Sequence, residues 1–178
     1  MGEPSETGDR GIRSLAGKYL TFQLSGESYG FPVLKVREII RFVTPTLVPQ
    51  LPPDIKGVIN LRGKIVPVVD LRLKFGLIPR ADDVQNCIVV VQVAGGQGGH
   101  SAMGVIVDGV EEVAQIAAGE IEAAPSFGAG MNTDHILGMA KLRGAIKTLV
   151  DIDKVLSVAA ANAHNLAAEG ANLTTVAA

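Results

Sequence analysis

The sequence predicts a mainly β protein built from two copies of one small unit, each of about five short strands curled into a barrel, with short helices and a C-terminal helix. Three observations predict it. Apolar residues make up 47% of the 178-residue chain but aromatics only 4%, and Trp is absent, so the core is built from Val, Ile, Leu and Ala. β-favouring runs are punctuated by Gly and Pro turns. The chain also repeats internally. Ile55, Gly57, Leu61, Arg62, Gly63, Ile65, Val69 and Asp70 match Ile136, Gly138, Leu142, Arg143, Gly144, Ile146, Val150 and Asp151 in type and spacing. Upstream of these, Gly30, Val36, Glu38 and Ile39 share their spacing with Gly104, Val110, Glu112 and Val113. Small sheets of this kind remove their edges by closing, hence the barrels.

Residues 1–16, rich in Gly, Ser, Glu and Arg, read as a flexible arm. From Lys18 the alternation of Leu20, Phe22 and Leu24 with Tyr19, Thr21 and Gln23 predicts a strand with one wet face. Ser25-Gly26-Glu27 turns it into a second strand, Tyr29 to Val33. In Leu34 to Arg41, Val36, Ile39 and Ile40 fit one or two helical turns, while Ile39, Ile40, Phe42 and Val43 favour a strand. Thr44 to Pro53 is extended loop with a short strand at Leu47 and Val48. Ile55 to Leu71 is a hairpin with its corner at Arg62-Gly63, where Gly63 supplies positive φ. Asp70 caps a short helix, Leu71 to Phe75, ended by Gly76.

Ile78 to Gln85 reads as a linker into the second half. There Asn86 to Val93 pairs with Ala102 to Asp108 across a Gly-rich loop, Glu120 to Thr133 is irregular, and Ile136 to Val150 repeats the hairpin before a helix from Asp151. The expected division is one domain over 17–158, with subdomains at about 17–82, against which the C-terminal helix packs back, and about 83–150. An Ala-rich, partly disordered tail covers 159–178.

A formal charge of −2 gives no basic footprint for nucleic acid and no polybasic membrane patch. No apolar run reaches the roughly 18 residues of a membrane span, and no signal segment is visible, so a cytoplasmic protein without direct membrane insertion is expected. Cys87, the single cysteine, lies in an apolar run and reads as a small buried hydrophobe. His100, His135 and His164 have no second ligand at metal spacing and no nucleophile beside them. The Gly95–Gly99 loop joins two strands and lacks a phosphate-loop ending. Asp82 and Asp83 read as solvated linker charge, and Glu111 beside Glu112 as surface. The expectation is therefore no catalytic residue, no metal and no cofactor.

Arg62 stays open between two readings, because its twin Arg143 speaks for a structural role, its stem packed over the end of the unit, while its charged surroundings speak for a partner. Phe127, between glycines, is either a hydrophobic plug or an interface anchor.

The run Ile55-Lys56-Gly57-Val58-Ile59-Asn60-Leu61-Arg62-Gly63, followed by Ile65-Val66-Pro67-Val68-Val69-Asp70-Leu71-Arg72, resembles the signature of the CheW family, the coupling proteins of bacterial chemotaxis. Tyr29-Gly30, Ile39, Val105 to Gly109 and Leu149-Val150-Asp151 fit as well, so the resemblance covers about Lys18 to Leu156. It implies two intertwined SH3-like five-stranded barrels with an apolar groove between them. It also implies a non-enzymatic adaptor in a two-component system, joining the regulatory domain of the histidine kinase CheA to the cytoplasmic tip of methyl-accepting chemoreceptors and recruited to membrane-associated receptor arrays. Carried over residue by residue, the receptor-binding positions are Val36, Glu38, Gly57, Arg62 and Val113. The kinase-binding positions are Phe42 with its neighbours and Phe127, the latter on a surface that closes array rings. Glu122 stands where a basic residue can occur in relatives, a departure that bears on the ring-closing contact. An equivalent adaptor in another chemosensory system, such as twitching motility, fits the same motif. A ligand-binding or catalytic protein using the groove would need a convergent polar cluster, which the sequence does not show.

Overall fold

The computed structural model describes residues 11–78, 85–95, 98–126, 128, 130, 133–157 and 159. Among them, β1 (Gly17–Leu24), β2 (Glu27–Pro32), a 3-10 turn (Val33–Lys35), β3 (Val36–Arg41), β4 (Ile55–Leu61), β5 (Lys64–Asp70) and a short helix (Leu71–Lys74) form the first copy of the repeat. The second copy contributes β6 (Cys87–Ala94), β7 (His100–Val107), β8 (Gly109–Ile116), a 3-10 turn (Ala118–Glu120), β9 (Ile121–Glu122), β10 (Ile136–Leu142) and β11 (Ala145–Val150). A C-terminal helix follows over 152–157.

Neither sheet belongs to one copy. The six-stranded sheet runs β8-β1-β2-β11-β10-β9 and the five-stranded sheet β3-β6-β7-β5-β4. The first hairpin of each copy is thus exchanged into the sheet of the other. The two sheets repeat each other in register. Ile39 faces Val89 on the β3–β6 ladder as Val113 faces Leu20 on the β8–β1 ladder. Val68 faces Gly104 on the parallel β5–β7 pair as Leu149 faces Gly30 on β11–β2. Each copy is left without a core of its own, because its apolar hairpin is buried against strands of the other.

The expected pair of five-stranded SH3-like barrels is corrected here. Neither sheet closes: β3 and β4 end one of them, β8 and β9 the other, and these ends share no ladder. The edges are managed by other means. Register shifts twist β3, β4 and β10 at Val36/Glu38, Ile55/Gly57 and Ile136/Gly138. Among the described residues, the open side of β4 carries the isolated bridge from Val58 to Thr46. Gly57 makes that bridge possible, since a Cβ there would lie 2.1 Å from the Thr46 carbonyl oxygen and its φ is +140°. Its twin Gly138 lies close beneath β9 as well, where a Cβ would sit 2.9 Å from the Glu122 carbonyl oxygen.

The hairpin corners behave as expected, with one addition. Arg62 and Gly63 both take positive φ, 51° and 81°, and Arg143 and Gly144 repeat this at 51° and 78°. Positive φ at both central residues matches the right-handed twist of the flanking strands. The left-handed arginines cost some backbone strain, and the Asn60 side chain steadies the first corner by accepting from the Gly63 N–H at 2.8 Å. The 34–41 segment divides between the two conformations weighed for it: a 3-10 turn ends at Lys35 and β3 begins at Val36.

The main core lies between the sheets. It joins Leu20, Phe22, Leu24 and Phe31 of the first hairpin to Val89, Val91, Met103 and Val105 of the second, and Ile152, Val155 and Leu156 of the C-terminal helix close it. Full burial of each such aliphatic side chain contributes about 1.5–3 kcal/mol. One ionic cluster is sealed beside this core. Asp70 caps the short helix by accepting from the Arg72 N–H at 2.9 Å, and its carboxylate takes both Nε and Nη2 of Arg72 at 3.0 and 2.8 Å. Arg72 then reaches Asp108, which also accepts from the Ser25 N–H at 2.6 Å. Arg72 therefore ties the first copy's helix to the β7–β8 junction and, through Asp108, to the β1–β2 turn. At the N-terminal side, Ile12 and Leu15 pack on the core of the six-stranded sheet.

Candidate functional site

β3 is an edge strand, and its side chains alternate. Val36, Glu38 and Ile40 point inward to half-buried positions, while Arg37, Ile39 and Arg41 are exposed. The alternation runs on past the strand, with Phe42 half-buried and Val43 exposed. Val36 packs against the main core. Phe42 packs with Ile40 and Leu61 against the Ile59, Val66 and Ile88 cluster, and its N–H donates to the Asn86 carbonyl at 3.2 Å.

Glu38 meets Arg62 from the β4–β5 corner in an ion pair. β3 and β4 are opposite ends of the five-stranded sheet, so the clasp joins two edges that no backbone ladder joins. Hydrogen bonding to Glu38, and its charge, raise the Arg62 guanidinium above its usual range. The second copy repeats the arrangement: Arg143 Nη2 lies 2.8 Å from both carboxylate oxygens of Glu112 on β8.

Of the residues singled out in the sequence, the structure brings Glu38 and Arg62 together. Val36 lies two residues before Glu38 on the same face of β3, and Gly57 is buried in β4, the strand leading to Arg62. Val113 lies on β8 in the other sheet, 52% exposed, and is the counterpart of Ile39 rather than its neighbour. Phe127 lies outside the described residues, as do Asp82, Asp83, Gly96, Gln97, His164 and the tail from 160. Sequence reasoning missed the exposed Arg37 and Arg41 and used exposed Ile39 and Val43 for fold and family alone. The period-2 alternation from Val36 to Val43 signals them, but a helical reading of this stretch hides it.

Glu111 is held inside its own sheet. Its carboxylate accepts from Gln23 on β1, Ser28 on β2 and Lys147 on β11, at 3.2, 2.8 and 2.7 Å. Burial alone would raise this carboxyl, but the hydrogen bonds from Lys147, Ser28 and Gln23 and the Lys147 charge outweigh it and hold it below the usual glutamate range. Asp153 on the C-terminal helix behaves alike. Against the effect of burial, Lys35 and the Ala94 N–H hold it low. Glu122 pairs with Lys141 at 2.7 Å, both exposed.

A cleft of about 270 Å³ lies between the short helix and the C-terminal helix, lined by Lys74, Phe75, His135 and Lys154 among others. His135 is stacked on Phe75 at 5.6 Å, which in turn stacks on Tyr29. Among the described residues no group of three or more His, Cys, Asp or Glu could hold a metal ion, and no helix is long and apolar enough to cross a membrane. What the site offers is a surface: an ionic clasp, flanking apolar side chains and exposed arginines.

Comparison with known proteins identifies the family. The family model described as a CheW-like domain matches residues 18–160. The chemotaxis protein CheW of Klebsiella aerogenes is 37% identical over 151 residues, covering 82% of this chain and 88% of the relative. CheW of Bacillus subtilis is 32% identical over 140 residues, 78% of this chain and 86% of the relative. The crystal structure of the scaffolding protein TtCheW from Thermoanaerobacter tengcongensis superposes with a TM-score of 0.69 at 32% identity, covering 80% of this chain and 93% of that one. The chain belongs to the CheW-like family and is a non-enzymatic adaptor of chemotaxis signalling.

Proposed function

We propose that this adaptor joins the cytoplasmic tip of methyl-accepting chemoreceptors to the regulatory domain of the histidine kinase CheA, and is recruited through the receptors to membrane-associated arrays. The receptor helix docks beside the Glu38–Arg62 clasp, with Val36 and Gly57 shaping the strands beneath it and Val113 contributing from the other sheet. The kinase docks on the β3 side, at Phe42 and its neighbours, and Phe127 serves a second kinase contact. The observation that carries this reading is the clasp itself. It fixes a charged corner across an open sheet end beside half-buried Val36, an arrangement suited to orienting an apolar helix by a few anchors and a charge register.

The test is pull-down of a receptor-tip fragment and of the kinase regulatory domain by the wild-type chain and by Val36→Asp and Arg62→Ala variants with wild-type circular dichroism. Loss of receptor capture with retained kinase capture supports the assignment. Normal capture of the receptor fragment by both variants places the docking surface elsewhere.

A further inference from the structure

The internal repeat provides a comparison within one chain. Positions kept in both copies answer to the shared fold, and positions where the copies part are free of that demand. β3 and β8 hold the same register against their neighbours, so their outward residues correspond one to one. On β8 they are Glu111, Val113 and Gln115, with Ala117 beyond; on β3 they are Arg37, Ile39 and Arg41, with Val43 beyond. The copies share the apolar centre. They do not share the charge.

Glu111 is consumed inside its own sheet by Lys147, Ser28 and Gln23. Arg37 meets only the neutral Gln92 side chain, its Nε donating at 2.9 Å. Among the described residues neither Arg37 nor Arg41 forms an ion pair. Ile39 and Val43, 45% and 47% exposed, alternate with these arginines. Two cations without an internal ion pair among the described residues, interleaved with half-exposed β-branched side chains, cost desolvation energy against an apolar or basic surface and recover it against anionic groups, which on a protein surface are carboxylates. The Glu38–Arg62 clasp, present in both copies, adds no such discrimination.

We propose that the outer face of β3 selects the kinase by charge, taking a protein surface whose apolar patch is flanked by carboxylates, with Arg37 and Arg41 as the specificity-determining residues. This rests on the placement of the kinase at Phe42 and its neighbours. Half-buried Phe42 holds the strand end, and the exposed residues on either side of it make the contact.

The experiment titrates the kinase regulatory domain with the wild-type chain, the Arg37→Glu/Arg41→Glu double variant and a Gln115→Glu control at the corresponding position of β8. Titrations are run at low and at physiological ionic strength, where the Debye length shortens from about 30 Å to about 8 Å. Wild-type affinity is expected to fall with salt. The double variant binds about tenfold more weakly at low salt, loses most of the salt dependence, and Gln115→Glu matches wild type. A folded double variant with wild-type affinity and salt dependence overturns the proposal. A wild-type chain that binds no kinase fragment removes instead the coupling reading on which it rests. Vesicles containing phosphatidylserine form the last arm. Co-sedimentation of wild type but not of the double variant, with equal kinase binding by both, assigns the arginines to a membrane surface and overturns the kinase assignment.

Discussion

Glu38 on β3 and Arg62 at the β4–β5 corner pair across the two ends of one open sheet, and in the other sheet Glu112 on the end strand β8 pairs with Arg143 at the β10–β11 corner, one strand in from the β9 end. A contact that recurs in both copies at matching positions is first of all a feature of the fold. It fixes the corners without closing either sheet into a barrel.

Replacing each arginine by Asn, which tolerates positive φ, separates the clasp from the turn. Arg62→Asn and Arg143→Asn each shift Tm by no more than about 2–4 °C, as expected for exposed ion pairs. Only Arg62→Asn weakens binding of a receptor-tip fragment. Equal losses from the two variants in a binding titration would show that the clasp's effect on docking is indirect.

Arg72 is a different kind of arginine. Its side chain is 1% exposed and Asp70 is wholly buried. Arg72→Met strands the Asp70 carboxylate and costs about 3–5 kcal/mol in urea unfolding. Asp108→Asn, at the more open end of the cluster, costs about 1 kcal/mol. The reverse order would contradict the account of buried Asp70 as the partner that anchors Arg72.

Stability responds to acid through Glu111 and Asp153. Both are held below their ordinary values of 4.5 and 3.8 in the folded protein. The stability they contribute is therefore complete above those values and is lost as pH falls through the lower folded ones. Thermal melts of the wild type steepen their decline below pH 4.5, and Glu111→Gln flattens part of that decline while lowering Tm near neutrality. A variant with the same acid profile as wild type would remove Glu111 from the explanation.

The exchanged hairpins make each half dependent on the other. Fragments spanning residues 1–82 and 83–178 each lack the strands that cover their own first hairpin, so each alone shows no cooperative unfolding transition, and mixing them restores one. Cooperative unfolding of either fragment alone would show that the exchange is dispensable.

Much of this was legible in the sequence, for physical reasons that also set the limit. The Arg62-Gly63 corner, the Asp70 cap and the strand-to-strand spacing are local, and local rules found them. The repeat was legible because Gly57 and Gly138 answer the same steric demand beneath Thr46 and Glu122. Which copy a hairpin pairs with is a long-range choice that two like sequences encode equally well, so residue patterns alone did not show the exchange; the family resemblance implied intertwined units, but as closed barrels, and the sheets are open. The burial of Arg72 was not legible because nothing in its neighbours announces Asp108, distant in sequence, as its partner. Arg37 and Arg41 escaped notice because Val36 to Ile40 satisfies helical and strand periods alike.

The central claim is that one chain holds receptor and kinase at once. Its most direct measurement is capture of the CheA regulatory domain on an immobilised receptor-tip fragment, with and without this protein. The account predicts capture only when the chain is present, lost with Val36→Asp on the receptor side and weakened about tenfold at low salt with Arg37→Glu/Arg41→Glu on the kinase side. Equal capture without the chain, or none with it while each partner binds it separately, would contradict it.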